Sequence, residues 1–193
     1  MRRILRLLVC GVAVLSLAAC TPTGRAVGDT QDSMPSIAHD STHKTDITVG
    51  FVGSTDTAAD KKAIDALADD TLNVYYASLD TPGDSETADK IAATAQQGIT
   101  DFVDRAVKIV IISGIDVTDA NRDSWNQALT NAREAGIPVA LLNPKHAPED
   151  ELLYAAILNT DDAASAKSVS IADAVTTIAR DEPHDRTIAV ATE

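Results

Sequence analysis

The sequence is short of cysteine, of basic residues and of long apolar runs, and each shortage removes a class of protein. Two cysteines occur in 193 residues, Cys10 and Cys20. Cys10 lies inside an N-terminal stretch with the three parts of an export signal, so a processed chain keeps one thiol and no internal disulfide. Such a fold depends on its hydrophobic core. Lysine and arginine number 16 against 29 acidic residues. Removing residues 1–19 takes away Arg2, Arg3 and Arg6 and no acid, which moves the net charge from −13 to −16. That balance excludes nucleic acid, whose phosphates need basic partners. It also excludes electrostatic adhesion to anionic lipid. The apolar run 7–19 has 13 residues, interrupted only by Gly11 and Ser16, against the ~20 that span a bilayer.

Catalytic and metal-binding patterns are missing too. His39, His43, His146 and His184 lie far apart, without metal-ligand spacing. The segment GFVGST at 50–55 has no lysine of a phosphate-binding loop. There is no Gly-x-Ser-x-Gly elbow and no Cys/His pair for nucleophilic catalysis. Asp69 with Asp70, and Asp161 with Asp162, are neighbours that do not face one another in a helix or strand, and read as solvated charges. No enzyme activity, cofactor or metal is expected.

What is present begins at the N-terminus. Leu17-Ala18-Ala19-Cys20 resembles the lipobox of bacterial lipoproteins. The resemblance implies a signal peptide over 1–19 and a lipidated Cys20 as mature N-terminus, carrying diacylglyceryl and further acyl (palmitate-type) chains. Two or more chains suit stable anchoring, since one binds a membrane only marginally. The expected location is the cell membrane, facing away from the cytoplasm. Residues 20–45 are rich in Thr, Ser, Pro, Gly, Asp and His, and Val27, Met34 and Ile37 form no periodic face. A flexible tether of root-mean-square span roughly 25–30 Å is expected there.

From Asp46 the pattern alternates strand and helix, as in a parallel sheet covered on both faces. Strands are expected at 47–52, 72–77, 108–113, 139–142, 153–158 and 187–191. The uninterrupted KIVIIS at 108–113 suggests a central strand. Helical faces are drawn by Ala59, Ala63, Ile64 and Leu67, and by Ile91, Ala95, Ile99, Phe102 and Ala106, at offsets of period 3.6. Trp125, Leu129 and Ala132 mark a third, ended by Gly136. Ala164, Ser168, Ile171, Val175 and Ile178 mark a last one over 163–180. Gly98 is expected to weaken the second helix or end it early.

Four segments carry a resemblance: VGFVGST at 49–55, the helix leading into KIVIISG, EAGIPVALLN at 134–143 and ILNTDD at 157–162. From Asp46 onward the chain resembles type I periplasmic solute-binding proteins of the ribose and sugar group. The resemblance implies a doubly wound α/β lobe over 46–160 and a hinge at Asn159, Thr160, Asp161 and Asp162. Residues 161–193 would begin a second lobe, most of which lies beyond Glu193. It further implies the substrate-binding part of an ABC importer, with a sugar or similar small polar solute as ligand and a membrane permease as partner. Two other readings stand beside it: a sensory or interaction lipoprotein acting through one lobe, and a truncated product that binds nothing.

In open α/β sheets ligands sit beyond the carboxyl ends of the strands. That selects Ser54, Thr55, Asp56, Asp80, Ser113, Gly114, Asp116 and Asn143, whose hydroxyl, amide and carboxylate groups pair with polyol hydroxyls. The same residue types are favoured after strands as turn and cap residues, and Asp116 could simply cap the following helix. Where the family often has Asp-Arg, this chain has Asn143-Pro144. The loop 54–60 has none of the family's stacking aromatics. Trp125, on a helical stripe, reads as core.

Overall fold

A computed structural model describes residues 24–30, 43–79, 88–161, 164–165 and 167–192. Cys20, Asp80 and Asp162 lie outside the described residues, and so do the expected signal peptide and most of the expected tether.

The strands are β1 (Thr48–Val52), β2 (Asn73–Ala77), β3 (Ile109–Ser113), β4 (Val139–Leu142), β5 (Ala156–Asn159), β6 (Val169–Ser170) and β7 (Thr187–Ala191). The α-helices are α1 (Thr57–Asp69), α2 (Ala88–Asp104), α3 (Arg122–Glu134) and α4 (Ile171–Ala179). All strand pairings are parallel, and the sheet order is β2-β1-β3-β4-β5-β7-β6. The fold is the expected doubly wound α/β sheet. Side chains alternate across each strand, so successive core residues feed opposite layers. Val49, Phe51, Ile109 and Ile111 pack with Ala63 and Leu67 of α1 and Val175 and Ile178 of α4. Val52, Val110 and Ile112 pack with Ile99 and Phe102 of α2 and Trp125 and Leu129 of α3. The KIVIIS segment is central as expected, with Ile109 to Ile112 essentially inaccessible to solvent.

Four expectations need correction. Helix α2 runs through Gly98 without a break. A Cβ there would come within 3.0 Å of the Ala77 Cβ on β2, so the glycine is where helix and strand touch. The expected strand 153–158 begins later, because Glu151–Leu153 forms a 3-10 turn capped by the Asp150 carboxylate, which accepts from the Leu152 N–H at 2.9 Å. The expected helix over 163–180 is only Ile171–Ala179. Ser170 starts it, its hydroxyl accepting the Asp173 N–H at 3.0 Å, and such a cap fixes a helix start against the apolar stripe upstream. Finally, the segment expected to open a second lobe joins the first sheet. Strand β7 lies beside β5, with Ile157, Leu158 and Asn159 opposite Thr187, Ile188 and Ala189. Helix α4 buries six of its nine residues, and in this position they cover apolar surface of the sheet and of α1 that water would otherwise meet.

Part of the expected tether is also ordered on the domain. Residues 24–30 lie across the amino ends of β4 and β7. The Arg186 guanidinium pairs with Asp29 at 2.6 Å, donates to the Glu151 carbonyl at 2.6 Å and stacks over the Tyr154 ring at 4.3 Å. Arg133 donates to the Arg25 carbonyl at 3.0 Å, and His184 Nε2 donates to the Gly28 carbonyl at 2.8 Å. Gly28 has φ +78, and a Cβ there would stand 2.7 Å from that of Pro138. Composition alone misjudged this stretch, because its partners Arg133, His184 and Arg186 lie more than a hundred residues away.

Candidate functional site

Parallel pairing brings the carboxyl ends of all strands to one edge. The chain leaves β1 toward β2 and leaves β3 toward β4, in opposite directions along the sheet, although β1 and β3 are neighbours. The loops after these two strands therefore part, which is the topological switch point where open α/β sheets hold ligands. A cavity of about 120 Å³ lies there. Gly53, Ser54 and Thr55 come to it from β1, and Ser113, Gly114, Ile115 and Asp116 from β3. Leu79, Ala88, Ile91, Ala92 and Ala95 come from the side of α2, and Thr118, Asn121 and Trp125 from α3 and the loop before it. Lys145 also lines it.

The expected ligand residues divide between two depressions. Ser54, Thr55, Gly114 and Asp116 line the switch-point cavity. Asp56 and Asn143 line a separate hollow of about 300 Å³ with Lys62, Leu142, Thr160 and Thr192. Ser113, at the end of the central strand, borders both.

Several of these residues already have partners. The Asp56 carboxylate caps α1 by accepting the Ala59 N–H at 3.0 Å. Asn143, at φ +46, makes two bonds to Thr160: its Nδ2 donates to the Oγ1 at 2.7 Å and its Oδ1 accepts the backbone N–H at 2.9 Å. Asp116 Oδ1 lies 2.7 Å from His146 Nδ1. Ser54 donates its hydroxyl to Asp60 Oδ1 at 3.0 Å, while its backbone N–H donates to Oδ2 at 2.6 Å. Gly114, with φ +61, lets the loop after β3 come so near Ser54 that a Cβ would be 3.2 Å from the serine Cβ.

Asp60 is the residue that sequence reasoning missed. It is a carboxylate only 1 % exposed, in the first turn of α1, where the helix N-terminus favours negative charge. Its role is to fix the loop after β1. The available signal was an acid on the apolar side of a helix, one position after Ala59.

Of the residues expected as a hinge, Asn159 ends β5 and Thr160 and Asp161 begin the turn after it, with Asn159 Oδ1 accepting the Asp161 N–H at 2.9 Å. Beyond them the chain returns to the same sheet through β6 and β7, so here they connect parts of one sheet. The only pKa shifts resolved among the described residues lie on another face. Lys44 is raised by hydrogen bonds to Asp173 and Asp70. Asp173 is lowered by Lys44 and then by Ser170.

No protein-family profile matches the chain, and no curated protein does. Among solved structures, a protein from Mycobacterium smegmatis in complex with β-D-fucofuranose is similar at 19 % identity and TM-score 0.46, over 64 % of this chain and 42 % of that one. A galactofuranose-binding protein is similar at 16 % identity and TM-score 0.45, over 74 % and 56 %. The periplasmic binding protein of an arabinose ABC transporter from Shewanella sp. ANA-3, bound to L-arabinofuranose, is similar at 15 % and TM-score 0.42, over 74 % and 54 %. The chain thus spans about half the length of these proteins, and likenesses this distant do not identify its ligand.

Proposed function

We propose that this protein is a lipid-anchored solute-binding component of an importer, which takes up a sugar or similar small polar molecule at the carboxyl edge of its sheet. One observation carries the reading: a cavity at the β1/β3 switch point whose rim offers Ser54, Thr55, Ser113, Asp116 and Lys145. Hydroxyl, carboxylate and ammonium groups around a concave, partly apolar floor suit a small polyol. The anchor at Cys20, the permease partner and delivery across the membrane belong to the same proposal and rest on the N-terminal signal.

The chain contains a single tryptophan, and it lines this cavity. Titration of the purified protein with a panel of pentoses and hexoses should therefore give a saturable change in tryptophan emission for at least one of them. A flat response across the panel, with no thermal stabilisation, sinks the reading. The second reading, a lobe that docks on a protein partner, is favoured by Tyr75 and Tyr76, both exposed on the edge strand β2.

A further inference from the structure

Residues 24–30 decide where a lipid on Cys20 can hold the domain. The contacts that seat this segment lie at the amino edge of the sheet. Gly28 packs on Pro138, directly before β4, and on Ile178, in the last turn of α4. Thr30 donates its hydroxyl to the Glu182 carbonyl. His184 and Arg186 lead into β7, and Arg133 stands in the last turn of α3. Ala26, Gly28, Asp29 and Thr30 are buried, so the segment is packed as part of the domain.

Such a seat shortens the anchor. Only residues 21–23 separate Cys20 from Gly24, and four peptide steps reach ~14 Å at full stretch. A free chain over 21–45 could reach ~85 Å. Residues 31–42 add nothing to that reach, because they join two stretches that both rest on the domain, 24–30 and the chain from Lys44 into β1. The central strands β1 and β3 have five residues each, which places the carboxyl edge roughly 16 Å from the amino edge. The switch-point cavity lies at that far edge.

We propose that the amino edge of the sheet is the face turned to the bilayer, and that the switch-point cavity opens on the side away from it. The inference rests on lipidation of Cys20 and adds the orientation that the anchor imposes. No attraction between the acidic chain and lipid is needed, since chain length alone holds the face there. Solute then enters from the side away from the membrane.

The test uses the full lipidated chain in phosphatidylcholine vesicles that carry acceptor dyes on their headgroups. Lys108→Cys, directly before β3, and Asp119→Cys, in the loop after it, place a donor dye at two exposed positions on opposite edges. Acylation of Cys20 leaves each variant with one free thiol. Energy transfer to the lipid should be higher from position 108 than from 119 at every acceptor density. A flexible insert of twenty Gly and Ser residues between Thr23 and Gly24 keeps the seat but lengthens the anchor by a span of ~25 Å, so it should bring the two signals together. Equal transfer without the insert, higher transfer from 119, or a difference that survives the insert overturns the orientation. Flotation with the vesicles reads the anchor separately: a chain that floats with them keeps the lipid reading standing whatever the transfer shows. If it does not float, the anchor falls and the orientation with it.

Discussion

The two ends of the sheet are built differently. At the amino end, residues 24–30 are held by side chains from distant parts of the chain: Arg133, His184 and Arg186 all grip this one segment. Two atoms there lack partners, Asp29 Oδ1 and Arg186 Nε, but each belongs to a group whose other atoms are paired. At the carboxyl end most contacts span shorter stretches of chain, the longest being Asp116 to His146, 30 residues apart. Asp56 caps its own helix, Ser54 binds Asp60 six residues on, and Asn143 reaches Thr160 across one strand connection. What is left open there is a cavity. One end is closed by polar contacts across more than a hundred residues, and the other is kept concave by contacts across 30 residues or fewer. Stability should therefore be concentrated at the amino end and binding at the carboxyl end.

The comparison is best broken at Arg186. Its partner Asp29 has a side chain only 6 % exposed, and removing one member of a buried pair leaves an uncompensated charge. Arg186→Ala should cost ~3–5 kcal/mol, seen in urea unfolding as a lower midpoint. A loss below ~1 kcal/mol would mean that the amino end is not closed by this pair.

Gly28 offers a gentler probe of the same end. Substitution by alanine meets both the left-handed φ and the Pro138 contact, so Gly28→Ala should cost ~1–3 kcal/mol and speed amide exchange in residues 25–30. Unchanged exchange would mean that the segment tolerates the side chain in place.

At the carboxyl end, Asn143→Ala removes two hydrogen bonds and places alanine at positive φ, for an expected loss of ~1–2 kcal/mol. Asn143→Gly also removes the bonds but suits the backbone, so it should be the milder of the two. The reverse order would show that the bonds to Thr160 are secondary. The sugar response proposed for the switch-point cavity should be unchanged in both variants, since Asn143 lines the other hollow.

The smallest effect concerns the Lys44 cluster. Hydrogen bonding to Lys44 and Ser170 lowers the Asp173 pKa. A carboxyl depressed on folding adds stability that is fully present above its unfolded value, near 3.9, and is lost as pH falls through the lower folded value. Lys44 is raised, so its share is present below about 10.5 and fades as pH rises through the higher folded value. The Asp173 side chain is 61 % exposed, and solvent screening holds the effect to a few tenths of a kcal/mol at most. Asp173→Asn should therefore flatten the acid limb of the stability curve slightly and leave neutral pH almost unchanged. A large change at pH 7 would assign the cluster a greater role.

Much of the architecture was legible because it is periodic. The stripe Ile91, Ala95, Ile99, Phe102 became the buried face of α2, apart from Ile91, which is half-buried, and KIVIIS became the central strand. Rules about strand ends brought attention to Ser54, Thr55, Ser113 and Asp116, which do meet at one cavity. What was not legible depended on contacts between distant residues. Nothing near Asp29 in the sequence announces Arg186. Nothing in the stripe 164–178 shows that Ser170 will start the helix and return β7 to the first sheet. Trp125 read as core, and it is core, although it also lines the cavity.

By itself the sequence determined the class of fold, the central strand and the acidic balance, because each follows from local composition or from a period of two or 3.6 residues. Tertiary structure alone decided that residues 24–30 close the amino end, that 171–191 complete one sheet, and that eight candidate residues divide between two hollows and a segment outside the described residues. These outcomes depend on which distant surfaces can exclude water and satisfy each other's hydrogen bonds, and local sequence does not encode that partner choice.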